Sequence, residues 1–197
     1  MGLTQRKPRP ICRDEASLRD DRLFIIASDD TYAPKQYFAF FNIPRVQVHV
    51  IATENNNYSA EYVLERLLEL EHEPDDERWI LLDVDHHDKG RHQRGFIAAI
   101  RKAKQKGIKI ALSKPCFELW LLLHHIDIAG ATPLENAQKT EALLRKSLGE
   151  YNKTRLKSEH YPYSLVIEAC RKAKKLDNAV PGGDIPTGNT SRVYLLW

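Results

Sequence analysis

Four short apolar runs, each followed by a segment with helical spacing or a polar loop, constrain the fold of this chain more than any other feature. They are RLFIIAS (22–28), VQVHVIA (46–52), WILLDV (79–84) and IKIALS (108–113). Each is strand-like in length and in its β-branched and aliphatic content. Between them lie TYAPKQYFAFFN, YSAEYVLERLLELE and QRGFIAAIRKAKQKG. The first of these carries aromatic residues at helical spacing, with Pro34 tolerable near a first turn. The second has Ser59 as a candidate N-cap, and the third has Gly107 at its end. Strands that recur between helices of about a dozen residues predict a parallel sheet covered by helices.

Beyond residue 115 the pattern becomes mainly helical. CFELWLLLHHI reads as a strongly apolar helix, while PLENAQKTEALLRKSLG and YSLVIEACRKAKKLD read as amphipathic ones. VPGGDIPTGNTS reads as a loop, and RVYLLW as a terminal strand or extended tail. The expectation is an α/β fold: a three-layer, parallel-sheet, Rossmann-like core over 22–130. A helical C-terminal portion over 131–197 packs on the same domain, and 1–21 forms an N-terminal arm.

In such sheets the ligand crevice lies at the carboxyl ends of the strands. Three polar clusters fall there: Ser28-Asp29-Asp30, Asp83-Val84-Asp85 and Ser113-Lys114. Two readings of RWILLDVDHHDKG (78–90) stay open, an acidic loop or a site for a divalent metal. If the strand continues, Asp83 and Asp85 leave the same face, within reach of one ion or of a pair. Mg²⁺ prefers oxygen ligands, and two ions roughly 3.5–4 Å apart suit phosphodiester cleavage. Mn²⁺ would serve equally. His86 and His87 fit a general base, a phosphate contact or metal ligands, with a solvated loop pair as the simpler alternative. Asp88 is a third acidic ligand or the cap of the next helix.

Glu118 stands in an otherwise apolar run, next to Phe117 and Leu119. Burying it is expensive without a partner or a cation. It lies just after the fourth strand, near the edge that carries Asp83, and is read as a further acidic contact. A Glu satisfied by a helix N-terminus is the alternative. Lys114 faces a phosphate or is simply exposed. His124 and His125 read as surface residues near a helix end.

The net charge of +3 does not by itself imply nucleic acid. Basic residues nonetheless gather at RKPRP, RKAKQKGIK, KTRLK and RKAKK, so Lys153 and Arg155 are candidates for a phosphate-binding face. The three cysteines are scattered and lack a CxxC pair, which argues against a disulfide framework or structural zinc. No stretch reaches the ~18 apolar residues of a membrane span. The start of the chain lacks the apolar segment of a signal peptide, so a cytoplasmic location is expected. No G-x-G-x-x-G or P-loop follows the first run, which sets a nucleotide-binding Rossmann protein aside.

ILLDVDHHD, GFIAAIRKAKQKGIKIALSKPCFELWLLLHH and the tail NTSRVYLLW together resemble the RloB-like family. The resemblance runs from about Arg22 to the end and is most specific over Ser113 to His124. It implies a Toprim-type fold in a bacterial anti-phage or restriction-locus protein, with Asp83 and Asp85 at the DxD position. It further implies a Mg²⁺-dependent nuclease acting on RNA or DNA, with a possible ATPase partner from the same locus. Homo-oligomer formation stays open. The first motif departs from the pattern. Ser28 stands where Toprim relatives carry Glu, and Asp29 where they carry Gly. A serine hydroxyl is a poorer ligand and no base at neutral pH. Asp29 or Asp30 then takes the ligand role, or Glu54 reaches across. Otherwise the chain keeps only binding, as a regulatory subunit.

Overall fold

The computed structural model describes residues 22–54, 57–86, 92–180 and 182–197. Strands β1 (Arg22–Ser28), β2 (Val46–Ile51), β3 (Glu77–Asp83) and β4 (Lys109–Lys114) form the parallel part of one sheet. A two-residue β5 (Thr190–Ser191) closes it, antiparallel to β4, with Ser113 opposite Ser191. The strand order among the described residues is β2-β1-β3-β4-β5. The chain leaves β1 outward to β2, then crosses back to β3 on the other side. β1 and β3 therefore flank the point where the winding reverses, the place where such sheets open a crevice.

Alternation along the strands sends side chains to two cores. Ile25, Ala27, Ile80, Leu82 and Leu112 face α2 (Ala60–Leu68) and α3 (His92–Gln105). Ile26, Trp79, Leu81 and Ala111 face the other way, against α1 (Ala33–Ala39) and α4 (Glu118–Leu123). Helices α5 (Ala137–Leu148) and α6 (Tyr163–Ala179) complete that second layer through Leu144, Val166 and Ala173. The expected α/β architecture, a mostly parallel sheet with helices on both faces and further helices toward the C-terminus, is what the structure shows.

Local signals account for the boundaries. Ser59 caps α2 by accepting from the Tyr62 amide, and Pro34 opens α1. Asn136 caps α5 through the Lys139 amide, and Gly149 ends it at φ +76°, where a side chain would be strained.

Two expectations are corrected. The tail RVYLLW is neither strand nor extended: Arg192–Leu196 forms a 3-10 helix, and the strand lies just before it at Thr190–Ser191. A strand two residues long leaves the apolar tail free to coil and pack Val193 inside. His124 is not a surface residue. It is buried, with Nδ1 against the Trp120 carbonyl and Nε2 3.1 Å from the Tyr37 hydroxyl. No helix among the described residues is long and apolar enough to cross a membrane.

Candidate metal centre

The strand β3 stops at Asp83, and Val84–His86 turn as a 3-10 helix. That turn separates the two acids of the DxD. Asp83 points into the crevice, only 2% exposed, and its Oδ1 accepts from the Phe117 amide at 2.8 Å. Its Oδ2 is buried without a hydrogen-bond partner among the described residues. Asp85 points elsewhere: its Oδ2 accepts from the Ala137 amide at 3.1 Å, so it helps satisfy the first turn of α5.

The loop after β1 supplies the other wall. Asp29 is buried, and its Oδ2 accepts from the Asp83 amide at 3.0 Å, tying the ends of β1 and β3 together. Asp30 is buried as well, and its Oδ1 accepts from the Tyr32 and Ala33 amides at the start of α1. The Ser28 hydroxyl accepts from the Asp30 amide at 3.0 Å. Serine here shapes the loop that aims two aspartates inward. Glu54 does not join them: it is mostly exposed and paired with Arg66 at 2.9 Å, outside the cluster of possible ligands among the described residues.

Glu118, fully buried at the start of α4, brings a fourth carboxylate to this rim. Its Oε1 accepts from the Tyr151 hydroxyl at 3.0 Å and lies 3.0 Å from the Lys153 ammonium. Lys153 also sits 3.0 Å from Asp30 Oδ2. The loop that carries it is pinned by Gln36 of α1, whose amide group donates to the Lys153 carbonyl and accepts from the Leu156 amide.

Among the described residues, one ligand atom each from Asp29, Asp83 and His86 lie within 4.8 Å of one another. The imidazole Nδ1 of His86 is 3.5 Å from Asp29 Oδ2, and its side chain reaches solvent. Asp85 and Glu118 stand outside that trio. Lys114 is half-buried at the end of β4, where its carbonyl accepts from Asn189. Arg155 lies apart from the acids, on the wall of an open cavity of about 480 Å³ that also touches Tyr151. His87, like Asp88 and the 1–21 arm, lies outside the described residues.

The electrostatics follow from burial. Asp83 is held well above the ordinary carboxylate range, first by desolvation and then by the charges of Asp29, Glu118 and Asp30. Asp30 is raised by the same burial, which Lys153 only partly offsets. Burial pushes Glu118 upward too, but the adjacent Lys153 ammonium prevails and keeps it ionised. Burial would strip Lys153 of its proton, and the charges of Glu118, Asp30 and Asp83 hold it on. His86 is raised, chiefly by its hydrogen bond to Asp29.

These residues fit a divalent ion. Four buried carboxylates face one ammonium, and a buried oxygen on Asp83 lacks a donor. Crowded carboxylates of this kind are costly unless a cation neutralises them. The donors are two carboxylates and an imidazole. Mg²⁺ prefers all-oxygen shells, so this mixed set suits Mn²⁺ at least as well.

A family model described as RloB-like protein matches residues 24–196. The chain belongs to the RloB-like family. Comparison with curated proteins and with solved structures finds no match. In this RloB-like chain, two members of the rim lacked a local signal. Lys153 stood out only as part of a basic cluster, and nothing in the sequence tied it to acids at 30 and 118. Gln36 carried no signal at all, because its role depends on a loop that is 117 residues away in the chain.

Proposed function

We propose that this chain is a Toprim-type, metal-dependent nuclease that hydrolyses phosphodiester bonds in RNA or DNA, as a cytoplasmic effector of anti-phage defence. The buried acidic rim at the switch point of the sheet carries this reading: Asp29, Asp30, Asp83 and Glu118 converge where ligands bind in parallel α/β sheets. Acids gathered in a crevice with strongly perturbed proton affinities are a signature of function. Family membership supports the reading, because the defence role is what the resemblance implies.

Asp29, Asp83 and His86 would hold the ion. When bound, the ion supplies positive charge and an acidified water for attack at phosphorus. Lys153 presents an ammonium at the same rim, 3.0 Å from an oxygen of Asp30 and of Glu118, able to attract a non-bridging phosphate oxygen. Water adds to phosphorus, the bond to the leaving sugar oxygen breaks, and that oxygen takes up a proton. A phosphomonoester and a hydroxyl result.

The second reading is a regulatory or nucleic-acid-binding subunit that works with an ATPase from the same locus. Ser28 favours it, since its hydroxyl serves the Asp30 amide and brings no carboxylate. Assays of single-stranded and duplex RNA and DNA with Mn²⁺, using wild type and Asp83→Asn, separate the two. The nuclease reading expects cleavage that the substitution abolishes. Binding without cleavage in both proteins favours the subunit.

A further inference from the structure

We propose that the rim takes a single divalent ion, held by Asp29, Asp83 and His86, and that Lys153 permanently fills the second cation position between Asp30 and Glu118. The inference rests on the metal-dependent reading above and specifies how many ions that site holds.

The geometry divides the four acids into two pairs. Asp29 and Asp83 share a hydrogen bond through the Asp83 amide, and both offer an oxygen close to His86. Asp30 and Glu118 share Lys153 instead, each with one oxygen at 3.0 Å from the ammonium nitrogen. Two-ion hydrolytic sites hold their ions about 3.5–4 Å apart, each bridged by carboxylates. An ammonium ion-paired at 3.0 Å with one oxygen of each acid in the second pair occupies the place a second ion would need. A divalent ion would have to expel it.

Five further hydrogen bonds fix the ammonium there. The Tyr151 hydroxyl donates to the same Glu118 oxygen, which defines the direction from which the carboxylate accepts. Asp30 cannot swing away, because its other oxygen takes two backbone amides at the start of α1. Gln36 clamps the loop at Lys153 and just beyond it, at the Lys153 carbonyl and the Leu156 amide. The lysine therefore reaches the rim from a braced loop and behaves as a built-in, singly charged partner to the ion. Lys153 acts as a positioning and charge-balancing residue for the second pair of acids.

The test is a Mn²⁺ titration of the full chain, read by equilibrium dialysis and by electron paramagnetic resonance. Wild type should bind one Mn²⁺ per chain with the spectrum of an isolated ion. Lys153→Ala should bind two, with the spectral broadening of ions roughly 4 Å apart. Lys153→Arg, which keeps the charge, should return to one. Glu118→Gln, which leaves the trio intact, should still bind one ion, with affinity lowered by no more than the roughly 10–100-fold of an outer-shell change. Two coupled ions on wild type would overturn the inference and leave the nuclease reading standing. So would Lys153→Ala remaining at one ion, or loss of Mn²⁺ from Glu118→Gln. Wild type that binds no Mn²⁺ would overturn the inference together with the metal-dependent reading.

Discussion

Two buried polar clusters lie under the same helical layer, and they are built on opposite terms. Around Tyr37 and His124 every polar atom of the pair has a neutral partner. The imidazole contacts the Trp120 carbonyl and the Tyr37 hydroxyl, and rings of Trp120, Tyr161 and Phe117 close around them. Burial holds Tyr37 protonated and pulls His124 down to about 4, so neither group carries charge at neutral pH. The rim of Asp29, Asp30, Asp83 and Glu118 instead concentrates negative charge against one ammonium. The Tyr37–His124 pair is neutral and satisfied, although the Trp120 Nε1 and the Tyr161 hydroxyl beside it lack hydrogen-bond partners among the described residues. The difference is charge: the second crowds carboxylates together, and on the proposed reading a cation completes it, whereas the first carries no charge to neutralise.

The largest effect that would sharpen this contrast is loss of function at the rim. Asp83→Asn should lower Mn²⁺-dependent cleavage by about 10³-fold or more, since it removes an ion ligand. Above the raised folded value of Asp83, where its carboxyl is ionised, the same change should raise the melting temperature of the metal-free protein by about 2–6 °C, because a crowded buried charge is gone. Calorimetry with and without Mn²⁺ checks both signs. A metal-free protein destabilised by the substitution would erase the contrast.

The pH dependence separates the clusters next. His124 has a lowered proton affinity, so its contribution to stability is present above pH 6.5 and is lost as pH falls toward about 4. The loss should amount to about 3 kcal/mol in denaturant titrations, and His124→Gln should flatten it. Asp83 has a raised one, so its contribution is present below the ordinary value of 3.8 and is lost as pH rises through its folded value. The metal-free protein should therefore weaken from opposite sides, with Mn²⁺ restoring only the alkaline limb. Equal slopes with and without Mn²⁺ would break the comparison.

Removing the Tyr37 hydroxyl is a smaller intervention. Tyr37→Phe should cost about 1–2 kcal/mol, because His124 Nε2 loses its partner, while the Mn²⁺ affinity stays as in wild type. The smallest effect belongs to Glu54→Ala. Its exposed pair with Arg66 should contribute under about 0.5 kcal/mol, and Mn²⁺ binding should not change.

The fold was legible because periodicity is local. β1 was bounded as RLFIIAS reads, and Ser59 capped its helix as a serine before an apolar stripe does. The two-residue β5 has no signal in the sequence, since Thr190–Ser191 forms no run and pairs with β4 only through tertiary contact. The site was legible in composition more than in geometry. Asp29, Asp83, His86 and Glu118 could all be picked out as polar groups at strand ends. Their grouping could not, because it turns on where β3 stops. Had the strand continued, Asp83 and Asp85 would share a face. The 3-10 turn sends Asp85 to α5 and brings His86 toward Asp29. Lys153 read as part of a basic surface and instead faces the acids, a pairing across distant segments that no spacing rule encodes.

A crystal of the full chain soaked in Mn²⁺ and measured for anomalous scattering tests the central claim most directly. A peak among Asp29, Asp83 and His86, with carboxylate oxygens at about 2.1 Å from it, is the predicted result. Crevice acids that refine with no anomalous signal among them, at Mn²⁺ concentrations that saturate other hydrolytic sites, would contradict it.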